Sequence, residues 1–271
     1  MKTYFVQSIL LVCLLFSSFA LPQERSVPIV DLRLGGLIGG SQNGAWVEPG
    51  LAAESILNSV MDLNVFGFGG KERKMIYAAR RAPIEDVCQD FYRVNMGMKE
   101  RLGLAIGSNA KWKPMPRIPK RISARNAVYK RAVASFLKKQ GVKNPIVRIT
   151  QAFQIDLDGD GQDEVVITAT RASDRYFTKL NAGDYSLVLL RTVTKAEVTD
   201  LMVDGNIYKP DQEDVGPPHR YEISGIADLN GDGTMEVAIY AEYYEGAGTA
   251  AFELRGGKLE MIKEVQAGCG V

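Results

Sequence analysis

Two stretches of this chain crowd oxygen-bearing side chains into tight turns. The first is DLDGDGQDE, Asp156 to Glu164, and the second is DLNGDGTME, Asp228 to Glu236. Like charges packed this closely repel one another, so a chain that keeps them together needs a compensating cation. Alternate side chains of such a turn point toward one centre. Positions 1, 3 and 5 are Asp156, Asp158 and Asp160 in the first stretch, and Asp228, Asn230 and Asp232 in the second. Position 7, Gln162 or Thr234, is placed to give its backbone carbonyl, and position 9 is again a carboxylate, Glu164 or Glu236. Position 6 is glycine both times, Gly161 and Gly233, where a sharp turn favours a residue without a Cβ. Every ligand atom offered is a hard oxygen. Calcium takes roughly six to eight of these and tolerates irregular geometry better than magnesium. Calcium is therefore the expected cofactor, at two sites.

These are not EF-hand loops. An EF-hand needs a bidentate Glu at its twelfth position and a helix after it, whereas position 12 here is Ile167 or Ile239, inside an apolar run. A short loop that passes straight into a strand, DLDGDGQDEVVI and DLNGDGTMEVAI, resembles the calcium loops of FG-GAP/VCBS-type repeats, known from integrin α-chain propellers and many exported bacterial proteins. The resemblance covers about 36 residues of 271, and the family's usual Asp at position 9 is Glu here. It implies that Asp156, Asp158, Asp160, Gln162 and Glu164, with their counterparts Asp228, Asn230, Asp232, Thr234 and Glu236, coordinate calcium. It also implies blade-like β-sheets around them.

The elements that must hold the loops read as strands. QIDLDGDGQDEVVITATR and IADLNGDGTMEVAIYAEY align over 18 residues without a gap, at an offset of 72. Each acidic loop thus lies between two strands, in what look like two large β units. Further strand signals are PIVRITQAFQI, YSLVLLRTV, AEVTDLMV, RYEISGIADL, TAAFEL and KLEMIKEV, separated by Gly, Asp and Asn. One helix precedes them, near 124–140. Ser123 is placed to cap it and Gly141 to end it, with an apolar stripe of Val128, Tyr129, Ala132, Val133, Phe136 and Leu137. Residues 28–47 read as strands, with Asn43-Gly44 as a hairpin turn. Residues 51–62 suit a short helix, and MIYAARRA and VCQDFYRVNM suit either a strand or a helix. The fold class expected is α+β, mainly β, with antiparallel blade-like sheets in the C-terminal half. Three regions follow: a leader at 1–20, an N-terminal β-rich region at 21–122, and the helix with the two-repeat β region at 123–271.

The leader carries Lys2, an apolar stretch from Ile9 to Phe16, and small residues at Ser18 and Ala20. That is the pattern of a secretory signal peptide, so the chain is expected to be secreted or periplasmic. No later segment is apolar for long enough to span a bilayer. Beyond the leader two cysteines remain, Cys88 and Cys269. An exported chain with an even count permits one disulfide, and two buried thiols are the other outcome.

Net charge is +1, but its distribution is lopsided. Residues 1–150 hold 23 Lys+Arg against 10 Asp+Glu, a balance of +13; residues 151–271 hold 10 against 22, a balance of −12. Such halves attract each other, or the basic one meets an anionic partner. KWKPMPRIPKR, Lys111 to Arg121, contains three prolines and reads as an extended connector. Common catalytic signatures are missing. The single histidine, His219, follows two prolines, and no G-x-S-x-G, C-x-x-C or phosphate-binding loop occurs. Glu245 in YYEGAG is the best sugar-facing carboxylate. The leading expectation is an exported calcium-binding structural or ligand-binding module, not an enzyme, with an extracellular glycan or protein as partner and no nucleic acid. The alternatives are a hydrolase acting on polysaccharide, and an anionic-polymer binder acting through residues 111–143.

Overall fold

Residues 28–47 form the expected hairpin and begin the first of three antiparallel sheets. The structure is a computed structural model that describes residues 25–270 except 55, 58–59, 71, 78, 82–86, 95–102, 173–179, 195–196 and 210–218. The leader lies outside the described residues. Sheet A contains β1 (Val27–Asp31), β2 (Gly36–Gln42), β3 (Ala45–Val47), β4 (Met61–Phe66), β5 (Glu72–Tyr77), β6 (Ala79–Arg81), β7 (Tyr92–Val94) and β8 (Leu104–Gly107). Its order is β5-β4-β8-β1-β2-β7-β6, with β3 on β2. Gln42 pairs with Ala45 across Asn43 (φ 52°) and Gly44 (φ 81°). Two consecutive left-handed residues match the right-handed twist of the flanking strands. The ambiguous segments MIYAARRA and VCQDFYRVNM supply strands, β5 to β7. The helix expected over 51–62 is shorter and earlier, α1 at Pro49–Glu54. Met61 and Asp62 belong instead to β4, where pairing with β5 and β8 overrides local helix preference.

Sheet B contains β9 (Lys120–Arg121), β10 (Ile149–Ile155), β11 (Glu164–Arg171), β12 (Tyr185–Val193) and β13 (Val198–Ile207), in the order β13-β12-β11-β10-β9. Sheet C is a four-stranded meander of β14 (Arg220–Ala227), β15 (Glu236–Tyr243), β16 (Gly246–Arg255) and β17 (Lys258–Gly270). The 18-residue repeat is thus part of a larger one: β10 to β13 and β14 to β17 are both antiparallel meanders. Each acidic loop joins the first strand of its meander to the second. Among the described residues, no sheet closes on itself. The Lys111–Arg121 connector is non-helical but bends at Trp112, Pro114, Pro116 and Arg117, and its last two residues are β9, paired with Gln154 and Phe153.

The helix expected near 124–140 is α2, Ala127–Lys139. Its cap is Asn126, whose Oδ1 accepts from Val128 N at 2.9 Å, and not Ser123. Ser123 sits one turn earlier, its Oγ accepting from Arg125 N. Val128 is exposed, so the buried stripe narrows to Ala132, Val133, Phe136 and Leu137. Lys138 and Lys139 stand in the last turn, where the helix dipole favours cations.

Side-chain alternation sets the stacking. Val165, Ile167 and Ala169 of β11 face α2, while Val166 faces sheet C with Phe153, Ile155 and Leu190. On β15, Val237 and Ile239 face sheet B, and Ala238 points the other way, to Ile29, Ile38 and Leu104 of sheet A. Val30, Leu37 and Val65 then face α1. The layers run α1, A, C, B, α2, with sheet C buried on both sides. Small residues on its sheet A face, Ala227, Ala238 and Ala251, let A approach closely. At Gly225 a Cβ would lie 2.4 Å from Leu104 Cγ, so no larger residue fits there.

Polar contacts tie the layers at fixed points. The Gln151 amide accepts from Ile223 N (2.6 Å) and donates to Ile223 O (3.2 Å), imitating a strand partner where β14 has a register shift. Asp31 of β1 is fully buried and accepts from the Ser224 hydroxyl and from Leu34 N, and burial pushes its carboxyl up to about 6. Arg33 pairs with Glu222 at 2.6 Å and lies over the Tyr240 ring at 4.3 Å. Cys88 and Cys269 are joined in a disulfide with Cα atoms 5.3 Å apart, closing the question that spacing alone left open. Among the described residues, no helix is long and apolar enough to cross a membrane.

Candidate metal centre

Both loops are built by side chains folding back onto their own backbone. Asp156 Oδ1 accepts from Gly159 N at 2.6 Å and Oδ2 from Gly161 N at 3.1 Å. Asp228 does the same with Gly231 N (2.6 Å) and Gly233 N (3.0 Å). Position 3 accepts from the amide of position 5: Asp158 from Asp160 N at 3.2 Å, Asn230 from Asp232 N at 3.1 Å. Position 5 accepts from position 7, Asp160 from Gln162 N and Asp232 from Thr234 N, both at 2.7 Å. Position 9 reaches back to the amide of position 2, Glu164 to Leu157 N (3.0 Å) and Glu236 to Leu229 N (2.7 Å). Five equivalent bonds thus agree within about 0.3 Å between the loops. Gly159, Gly161, Gly231 and Gly233 all have φ between 81° and 89°, a region that costs a residue with a Cβ. Such Asx-type bonding is what short Asp and Asn side chains favour in turns.

Of the expected carboxylate ligands, those shown to converge on one point are three in the first loop. In the first loop one oxygen each from Asp156, Asp158 and Glu164 lie within 4.8 Å of one another. These three carboxylates can coordinate a divalent cation. Asp160 is occupied by Gln162, through N and also through Nε2 at 3.1 Å. Gln162 and Thr234, expected to offer carbonyls, contribute these amide bonds to the loops. In the second loop Asp232 accepts from Asn230 Nδ2 at 3.0 Å, and Asp228 and Glu236 are buried.

The electrostatics point the same way. Burial pushes the Glu164 carboxyl up to about 7, and neighbouring Asp158, Asp160 and Asp156 add to it. Burial pushes Glu236 further, to about 9, with Asp232 and Asp228 adding their charge. Asp228 is also raised, chiefly by burial, against the opposing pull of the Gly231 and Gly233 amides. Glu236 Oε1 is buried and has no hydrogen-bond partner. A buried carboxylate oxygen beside two further acids disfavours the bare charge, so without a cation the carboxyl keeps its proton.

Two residues that carry no ligand signature complete the site. Both come from the proline-rich connector. Arg117 donates to the carbonyls of Asp156 (2.6 Å) and Leu157 (2.9 Å) in the first loop and of Gly233 (2.7 Å) in the second. Trp112 Nε1 donates to Asp228 O at 2.9 Å. The same carbonyl, that of position 1, is thus held in each loop, by Arg117 in one and Trp112 in the other. A further bond, Met235 N to Leu157 O at 2.8 Å, joins the loops directly. Part of the basic half therefore serves to seat the acidic half, through backbone carbonyls. The other sequence candidates lie apart: His219 packs on Tyr221 and Tyr243, and Glu245 occupies the turn between β15 and β16.

No family model matches this chain, and no curated protein and no solved structure matches it either.

Proposed function

We propose that the chain is an exported calcium-binding module, in which two metal loops clip together two blade-like meanders that present a ligand-binding surface. The observation that carries this reading is Glu236, buried with an unpartnered Oε1 beside Asp228 and Asp232, in a loop whose twin gathers three carboxylates. Asp156, Asp158 and Glu164 would hold one ion; Asp228, Asn230, Asp232 and Glu236 would hold the other. When bound, calcium supplies positive charge and oxygen-seeking coordination at the head of β11 and of β15. The chain's own residues do the rest. Asp156 and Asp228 shape the turns, Arg117 and Trp112 anchor them, and the strands carry the fixed geometry into the core between sheets B and C.

Calcium is favoured over other divalent ions because the donors are all hard oxygens in an irregular loop. Export is supported by the leader pattern at 1–20 and by the Cys88–Cys269 bridge, which suits an oxidising compartment. The test is elemental analysis and thermal melting of the mature chain. Binding to the folded state alone stabilises it by about 2.7 kcal/mol per site at a hundredfold excess over Kd. At ~2–4 °C per kcal/mol, EDTA should lower Tm by several degrees and calcium should restore it, magnesium poorly. A melting curve unmoved by EDTA, with no calcium in the protein, would end this reading.

A further inference from the structure

A cavity of about 460 Å³ opens between the Asn43-Gly44 hairpin, the Arg25 arm and the second acidic loop. That volume is in the range of small-molecule sites, ~300–1,000 Å³. From this cavity we infer that the protein binds a short acidic saccharide there, independently of the loop cation.

Three features set the chemistry. The first is an indole: Trp112 lines the cavity, its Nε1 fixed on Asp228 O and its ring close over Gly231, where a Cβ would come within 2.9 Å. A ring held in this way is a rigid platform for the C–H face of a pyranose. The second is charge. Arg25 and Lys111 line the cavity, and no Asp or Glu does among the described residues. The second loop has Asn230 where the first has Asp158, so the one loop side chain that borders the cavity is uncharged. A carboxylate on the ligand would meet positive charge in the wall, with Arg25 at its exposed edge. The third is hydrogen bonding. The side-chain amides of Asn43 and Asn109 line the wall, Asn109 with its nitrogen already engaged and its oxygen left as an acceptor. Side-chain amides suit the hydroxyls of a sugar.

The walls are braced before any ligand arrives. Asn109 Nδ2 donates to the Arg25 and Ser26 carbonyls (3.4 and 3.2 Å), which sets the arm. Asn230 Nδ2 reaches Gly44 O at 3.5 Å, which sets the hairpin. Such preorganisation lowers the ordering cost of binding.

The experiment titrates the mature chain with trigalacturonate, and separately with neutral maltotriose and inorganic phosphate, following tryptophan fluorescence and heat. Each titration is run in calcium and in EDTA. Trigalacturonate should bind saturably in both buffers, and far more tightly than maltotriose or phosphate. Arg25→Gln, at an exposed position, should weaken trigalacturonate about tenfold, the effect of losing a hydrogen bond to a charged group, with Tm unchanged. Trp112→Phe should keep part of the affinity. Equal binding of maltotriose, competition by phosphate at the same concentration, an unaltered Arg25→Gln titration, or saturation by no probe would each overturn the assignment. So would binding that vanishes in EDTA, because the anion's partner would then be the cation. Loss of the calcium reading alone leaves this result untouched.

Discussion

The two acidic loops share one backbone and differ in what surrounds them. In the first, Asp158 and Asp160 face solvent and Asp156 is half-buried. In the second, Asp228, Asn230 and Glu236 are buried, with Trp112 on the Asp228 carbonyl and the hairpin beside Asn230, while Asp232 is exposed. The local hydrogen bonds are nearly identical, so the Asp and Gly spacing alone is enough to dictate the turn. The charge behaviour is not identical: Glu164 is raised to about 7 and Glu236 to about 9, the larger rise going with the deeper burial. Sequence repeats can therefore duplicate a shape without duplicating its energetics. The first loop gathers three carboxylates, two of them wholly or partly open to solvent, and the second trades one for an amide that also braces a neighbouring wall.

The largest test of that difference removes the residue that shapes each turn. Asp228→Ala frees two backbone amides at a buried position and should cost about 2–4 kcal/mol in EDTA. Asp156→Ala frees the equivalent amides nearer solvent and should cost about half of that. Equal losses in urea titrations would mean that burial is not what separates the loops.

Next in size is the response to pH. Both glutamates have folded-state values above their ordinary 4.5, so the folded metal-free chain holds the proton more tightly than the unfolded one. The stability they lend is complete below about pH 4.5 and is lost as pH rises, toward 7 for Glu164 and toward 9 for Glu236. In EDTA, Tm should fall steadily from pH 5 to pH 9. Glu236→Gln should reduce the fall across the whole range and abolish its part above pH 7; Glu164→Gln should reduce only the part below pH 7. A Tm that rises with pH in EDTA would contradict both assignments.

The smallest effect belongs to the connector. Arg117→Ala removes two bonds to the first loop and one to the second, and should cost about 1 kcal/mol. Amide exchange should quicken more at 156–164 than at 228–236. The reverse order would place Arg117's main role on the second loop.

Much of this was legible from sequence where a residue type has one dominant local use. Asp and Gly at fixed spacing announced the turns, Asn43-Gly44 announced its hairpin, and alternating apolar runs announced most strands of sheets B and C. What stayed hidden acts at long range or through the backbone. Arg117 and Trp112 grip carbonyls, which leave no mark on residue type. The repeat was visible over 18 residues yet spans four strands, because β12 and β16, or β13 and β17, need only alternate apolar and polar residues to pair alike. Ser123 and Asn126 are both good caps, and only tertiary packing decides which begins the helix. The order of the layers, and that sheet C is covered twice, followed from which face each alternation met.

The disulfide imposes a timetable on the chain's biosynthesis. Its two cysteines are 181 residues apart, and nearly all of sheets B and C is encoded between them. At roughly 5–20 residues per second of synthesis, Cys88 waits on the order of ten to forty seconds before Cys269 has even been made. During that interval its thiol is open to the wrong partner, on this chain or another. The final bond therefore records arrival of the last strand, β17, beside sheet A. A quality-control step that scores free thiols would in effect be asking whether the whole stack has come together.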